Sequence, residues 1–275
     1  MSERERGSTG WQLDRNGPEA YERYLVPGMF EPWADRLLDR VDLRASDRLL
    51  DVACGTGIVA RRGAARMGGE GTVVGIDINE GMLGVAEASA ADLAPRIEWR
   101  RGDATDLPFA DERFDVACCQ QALQFVEAPG VALEEMHRVL APDGRIGVSV
   151  WRPIEHNGAY EVLADALARH VGDDAATMMR SPFPAWDADD LRSLVGDAGF
   201  DECSITVEVG SMRYPSTAEF VRREAASSPL AESLVAVRAA AQRALVRDVG
   251  NALEPYTDDE GIVLPMESYV LTARR

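Results

Sequence analysis

Short apolar runs bounded by glycine and polar turns alternate along the chain with stretches in which hydrophobic residues recur every third or fourth position. From Pro18 to Val41 the residues Tyr21, Tyr24, Leu25, Phe30, Trp33, Leu37, Leu38 and Val41 keep helical spacing, interrupted at Pro27-Gly28. Arg48–Val52 then reads as a buried strand closed by Cys54-Gly55-Thr56-Gly57, and a helix is expected over Ile58–Met67, ended by Gly68-Gly69. Thr72–Ile76 is the second predicted strand, with Asp77 at its end, and a helix follows from Gly81 to Leu93. Ile97–Arg100 and Phe114–Cys119 are the third and fourth strands. After a Gln-rich turn, the pattern predicts a helix over Val131–Leu140, a turn at Ala141-Pro142-Asp143-Gly144 and a fifth strand over Arg145–Trp151.

Beyond Pro153 helical periodicity dominates, over 158–171, 188–198 and 217–249, with two further strands at Ile205–Val209 and Ile262–Thr272. Strands alternating with helices of this length predict βαβ units on a parallel sheet. The expected fold is therefore α/β: a Rossmann-like, doubly wound, mostly parallel seven-stranded sheet, with a helical cover over the ligand edge. The expected division is a flexible lead over 1–17, a helical cap over 18–44, a cofactor-binding core over 45–152, and the remaining strands with the substrate cover over 153–275.

Charge narrows the classes of function. The 275 residues carry 47 Asp+Glu against 29 Lys+Arg, a net charge of −18, and none of the basic residues is lysine. That excludes a P-loop lysine and Schiff-base chemistry on a lysine. A surface this acidic repels phosphate backbones, so no nucleic acid partner is expected. Cys54, Cys118, Cys119 and Cys203 form neither a CxxC pair nor a cluster at metal spacing, and no metal site is expected. Cys118 and Cys119 sit in an apolar run and read as small hydrophobes. No apolar stretch is long enough to span a membrane, and the expected location is cytoplasmic. The oligomeric state is left open, a homo-oligomer included.

Candidate chemistry gathers at the strand ends. Gly55-Thr56-Gly57-Ile58-Val59-Ala60 fits G-x-G-x-x-[GA] between a strand and a helix, where residues without Cβ allow close approach of a ligand. Asp77 ends the next strand, where a carboxylate can accept from both hydroxyls of a ribose. Together they signal a nucleoside-containing cofactor. Asp51, four residues before Gly55, argues against a pyrophosphate there and suits a cationic group such as an ammonium. Its bland alternative is a turn or capping aspartate. Asp103, after the third strand, offers an acceptor to an adenine amino group, and a plain turn residue is again the alternative.

Leu50-Asp51-Val52-Ala53-Cys54-Gly55-Thr56-Gly57 resembles motif I of the class I S-adenosylmethionine-dependent methyltransferases, and Val74–Leu83 is similar to their second motif. Gly102–Phe109 with Phe114-Asp115-Val116 resembles the third and fourth, and Glu135–Arg145 the element before strand five in the ubiquinone/menaquinone-type (methyltransferase type 11) branch. The resemblance covers 45–150. It implies S-adenosyl-L-methionine as cofactor, held at its methionine end by Asp51 and the backbone of Ala53, Cys54, Gly55, Thr56 and Gly57. It further implies Asp77 on the ribose, Ile78 and Met82 on the adenine, Gly102, Asp103 and Ala104 at the adenine edge, and Gln120 and Gln121 beside the sulfonium. Tyr24 is a candidate to close over the cofactor, with an ordinary core tyrosine as the alternative.

The implied reaction is methyl transfer to a small, partly apolar acceptor by in-line displacement, in which alignment carries most of the catalysis. Some small-molecule members of the family carry a His shortly after the fourth strand. Here that stretch reads Gln121-Ala122-Leu123-Gln124-Phe125, which puts His-assisted O-methylation in doubt. His137, His156 and His170 lie elsewhere, so the catalytic residue is unassigned. Tyr21, Tyr24, Met29, Phe30, Trp33, Trp151, Met178, Met179, Phe183, Trp186, Met212 and Tyr214 are candidates for an acceptor lining, or else simply pack the cover. Alternative readings are a methyltransferase acting on protein or RNA, a noncatalytic cofactor-binding module, and an NAD-dependent dehydrogenase.

Overall fold

The computed structural model describes Leu13 and residues 16–93 and 96–275. Most of the lead expected over 1–17 lies outside the described residues. Eight strands form one sheet: β1 (Arg48–Val52), β2 (Thr72–Asp77), β3 (Ile97–Arg101), β4 (Phe114–Gln120), β5 (Leu140–Trp151), β6 (Asp201–Tyr214), β7 (Thr257–Asp258) and β8 (Gly261–Arg274), in the order β3-β2-β1-β4-β5-β8-β6 with β7 paired to β8. Strands β1 to β5 are parallel, and β8 and β6 close the far side antiparallel. The expected count of seven is corrected to eight. The addition is a two-residue ribbon folded back at Gly261, whose φ of +128° only glycine adopts without strain.

Strands β1, β2 and β4 are nearly continuous in buried residues because helices cover both faces of the sheet. On one face lie α1 (Gly17–Tyr24), α2 (Glu31–Arg40) and α3 (Ile58–Met67), whose Leu37, Leu38 and Val59 join the same core as Leu49 and Val116. On the other lie α5 (Pro129–Val139) and α8 (Ala188–Asp197), reached through Leu133, Met136 and Leu191. Between β2 and β3 runs α4 (Glu80–Ser89), shorter than the expected 81–93.

The interruption at Pro27-Gly28 is a π-helical turn, Val26–Phe30, which keeps the chain helical while shifting the ladder so that Met29 and Phe30 turn inward. The turn at Ala141–Gly144 is an excursion within β5, marked by Asp143 at φ +63° and a register shift against β4. The remaining helices are α6 (Gly158–His170), α7 (Asp173–Arg180), α9 (Thr217–Ala226), α10 (Leu230–Ala236) and α11 (Ala239–Ala252). The single helix expected over 217–249 is thus three. Pro229 stops the first, with Ser228 Oγ accepting from the Leu230 N–H. Gln242 Nε2 donates to the carbonyls of Leu234 and Val237 across the second break. Strand β6 far exceeds the expected 205–209 because it pairs along the whole of β8. No helix among the described residues is long and apolar enough to cross a membrane.

Candidate functional site

The sheet order reverses between β1 and β4, and connections leave the carboxyl ends of these strands in opposite directions, opening a crevice there. A cleft of about 1380 Å³ occupies it. That exceeds the roughly 300–1,000 Å³ of a usual single-ligand pocket, so a second small molecule has room beside a first.

The floor is built by two linked loops. After Val52 the chain turns through Ala53 and Gly55, at φ +52° and +55°, and a Cβ built on Gly55 would meet nothing within 4 Å. Gly57, at φ +79°, caps α3 where any Cβ would lie 2.2 Å from the Trp99 ring. Asp77 ties this loop to the next: its carboxylate accepts from the Gly55 N–H at 2.7 Å and the Asn79 N–H at 2.8 Å. Asn79 Oδ1 in turn accepts from the N–H groups of Gly81 and Met82 and starts α4. Asp51 is 1% exposed and accepts from the Ala60 N–H in the first turn of α3 at 2.9 Å. Burial, reinforced by the negative charge of Asp77, pushes the Asp51 carboxyl up to about 8 despite that hydrogen bond and Arg61. Burial raises Asp77 as well, against its backbone donors. The Cys54 thiol is raised chiefly by burial, and so kept protonated.

Of the residues singled out from the sequence, Asp51, Ala53, Cys54, Gly55, Asp77, Ile78, Met82, Gly102, Asp103, Ala104, Gln120 and Gln121 line this one cleft. Thr56 and Gly57 do not: Thr56 is buried behind the loop and Gly57 is held against Trp99. Tyr24 is placed elsewhere too. The Arg222 guanidinium lies over its ring at 4.8 Å, with Arg23 and Arg223 nearby, and Tyr21, one turn earlier and stacked on Phe30, lines the cleft instead. The Asp103 carboxylate accepts from Thr105 N and Oγ1, the turn role weighed as its alternative, while remaining on the cleft wall. Of the aromatic and Met residues offered as an acceptor lining, Tyr21 and Met178 are on the cleft. Trp33, Trp151, Met179, Met212 and Tyr214 are core.

Apart from Met178, sequence reasoning missed the outer wall. Helix α7 turns Asp174, Thr177, Met178 and Ser181 toward the cleft at the i, i+3, i+4, i+7 spacing of one face, a pattern visible in the sequence had a helix been placed there. Gln124, Phe125 and Glu127 complete the wall beyond β4. The histidines are engaged elsewhere: His137 packs edge-on to Phe200, His156 meets Arg152, and His170 meets Asp248 at 2.7 Å. Among the described residues no group of three or more His, Cys, Asp or Glu is arranged to hold a metal ion.

A family model described as a methyltransferase domain matches residues 49–144. The ubiquinone/menaquinone biosynthesis C-methyltransferase of Roseobacter denitrificans is 34% identical over 187 residues, 63% of this chain and 74% of that protein. The nocamycin O-methyltransferase of Saccharothrix syringae is 38% identical over 211 residues, 70% of this chain and 72% of that protein. The phosphoethanolamine N-methyltransferase 2 of Haemonchus contortus, solved with S-adenosyl-L-methionine, shares the fold at a TM-score of 0.58 and 19% identity, over 94% of this chain and 57% of that one. With the glycine loop, Asp51 and Asp77 at the switch point of a doubly wound sheet, the chain belongs to the class I S-adenosylmethionine-dependent methyltransferases. It is an enzyme, and S-adenosylmethionine is its cofactor.

Proposed function

We propose that this enzyme methylates a small, partly apolar acceptor by in-line displacement, and that its own residues contribute position rather than acid–base chemistry. The observation that carries the reading is a single cleft holding the cofactor-type floor and, beyond it, an additional wall built from α7 and the 124–127 segment. The floor fits the cofactor. Gly55 leaves space where a side chain would stand, Asp51 is a buried carboxyl with no ion-pair partner among the described residues, and Ile78 is a large apolar side chain left 48% exposed at the rim.

Asp51 and the Ala53–Gly55 backbone would hold the methionine end, and the lone pairs of Asp77 not used by the loops would take the ribose hydroxyls. Ile78 and Met82 would cover the adenine, with Gly102 to Ala104 at its edge. Bound there, S-adenosylmethionine supplies a methyl group already activated by its sulfonium. Among the described residues no histidine lines the cleft, and its ionisable side chains besides the floor carboxylates are Cys54, Tyr21, Arg101, Asp103, Glu127 and Asp174. Arg101 pairs with Glu80 at 2.6 Å. Burial raises the Tyr21 hydroxyl, with Glu22, Asp77 and Asp51 adding to the shift, so Tyr21 stays protonated. On this reading none of the cleft carboxylates is assigned as a base, and the acceptor arrives as a competent nucleophile, which alignment then exploits. The two sequence relatives named above are a C-methyltransferase and an O-methyltransferase, so ancestry leaves the atom open.

Turnover with methyl-labelled S-adenosylmethionine over a panel of phenols, enols and amines tests the reading. Label in a small-molecule product is expected. Label transferred to protein or RNA, with none entering any small acceptor, would refute it.

A further inference from the structure

Strand β6 ends the sheet on its side, with β8 on one flank and, among the described residues, no strand on the other. The direction of its backbone groups follows from β8. Glu267 donates its N–H to Asn157 Oδ1 and accepts at its carbonyl from the Arg152 N–H, both in the segment that follows β5, so it turns away from its β6 partner Val209. Alternation along an antiparallel pair then turns the backbone N–H and C=O of Ile205, Val207, Val209 and Ser211 outward from the sheet. Of these, only the Val209 carbonyl has a partner among the described residues. Arg36 Nη1 donates to it at 2.8 Å, which leaves that oxygen a second lone pair.

Long sheet edges are usually guarded by charge, proline or a bulge. Here the bulge lies at one end, where Glu202 takes φ +52° and the register with β8 shifts between Asp201 and Ser204. From Cys203 to Met212 Glu208 alone is charged, in a chain of which 28% is charged, and Arg40 pairs with it. Val207 and Val209 stand on one face of this stretch, 44% and 58% exposed, two of the six large hydrophobic residues left exposed among the described residues. We propose that β6 is the seat of a two-fold dimer, in which β6 of a second copy of this chain pairs with it antiparallel about Val207 and continues the sheet. The strand is complementary to itself in that register. Val207 faces the partner's Val207, Ile205 faces the partner's Val209, and Glu208 faces the partner's Thr206 rather than another carboxylate. The Val207 pair exchanges two backbone hydrogen bonds, and so does each flanking Ile205–Val209 pair, all from groups already turned outward. The ends match as well: the acidic Asp201-Glu202 of one strand arrives beside Arg213 of the other, whose guanidinium holds Asp258 with two of its five donors. Moving the two-fold by one residue, to Glu208, would set like charges against each other. In a single chain water serves the open backbone groups, and what the second copy adds is burial of Ile205, Val207 and Val209 against their counterparts.

The dimer is independent of the methyl acceptor, and its test needs no ligand. Light scattering after size exclusion, on the full chain at about 20 µM, should give twice the mass of one chain. Val207→Lys should raise the dimer dissociation constant roughly 100-fold or more, because one substitution enters the interface twice. Val207→Pro should act likewise, since it removes an N–H that faces solvent in the single chain and so spares the fold. Far-ultraviolet circular dichroism unchanged from wild type shows each variant folded, and Val207→Lys decides if the proline variant is not. Register is read by mild oxidation in a Cys203→Ser background. Val207→Cys should crosslink, since directly paired Cα atoms lie about 5.5 Å apart. Val209→Cys should not, because its counterpart is displaced by four residues, about 14 Å along the strand. A monomeric wild type, which would leave the edge to a strand of some other protein, overturns the proposal. So does a dimer that neither Val207 variant weakens, or oxidation that links Val209→Cys chains but not Val207→Cys chains.

Discussion

With Asp51 at the cofactor's ammonium, as proposed, cofactor affinity becomes a function of pH. Its carboxyl is buried, and burial with the nearby Asp77 charge pushes it up to about 8, against the opposing Ala60 N–H and Arg61. A cationic ammonium needs the ionised form, so binding must drive a proton off. Below the free-state value the competent fraction grows with pH, and apparent affinity grows in proportion. Between pH 6 and pH 8 the ionised fraction rises from about one part in a hundred to about one half, so affinity should rise roughly 50-fold. Calorimetry in two buffers of different ionisation enthalpy measures both the affinity and the release of about one proton per cofactor at pH 6. Asp51→Asn keeps an oxygen for the Ala60 N–H but cannot ionise. Its affinity should be weaker at pH 8 by roughly tenfold or more, the scale of one charge-assisted hydrogen bond, with a shallower pH curve. Asp77 is also raised by burial, so residual slope in the variant belongs to it. Wild-type affinity flat across this range, or identical slopes in wild type and variant, would refute the reasoning.

Other variants probe neighbouring parts of the argument. Gly57→Ala should lower Tm by several degrees, because a positive-φ position of this kind costs about 1–3 kcal/mol and the new Cβ would strike Trp99; thermal denaturation reads it. Tyr21→Ala should weaken S-adenosylhomocysteine binding by roughly tenfold, about 1.4 kcal/mol, whereas Tyr24→Ala, lost from an arginine cluster outside the cleft, should leave it unchanged in calorimetry. Glu224 is buried and pushed up to about 7 by burial, with Tyr214 and Tyr160 donating to it. Its folded value exceeds the unfolded one, so its contribution is intact at low pH and is lost as pH rises from about 4.3 through 7. Glu224→Gln should therefore lose less stability than wild type between pH 5 and pH 8, and parallel Tm curves would contradict this.

The parts legible in the sequence are those that local chemistry decides. Strands β1, β2 and β4 announce themselves as apolar runs between glycine and polar turns, and Ile58–Met67 is bounded in the chain by the same Gly57 and Gly68 that bound α3 in space. Asp51 and Asp77 could be placed at the ligand edge because they lie in the last two positions of β1 and β2, and parallel strands bring their carboxyl ends to one side. What the sequence left undecided depends on partners distant along the chain. Tyr21 and Tyr24 share helical spacing, and only the approach of Arg222 and Arg223 from α9 shows which of them faces away. The length of β6 is imposed by β8, and the break before α11 is bridged by Gln242. Likewise, Gln120, Gln121 and Gln124 are indistinguishable as letters. Phe30 and Ser268, 90 and 147 residues away, take the amide nitrogens of the first two, and among the described residues the third has no partner at either end.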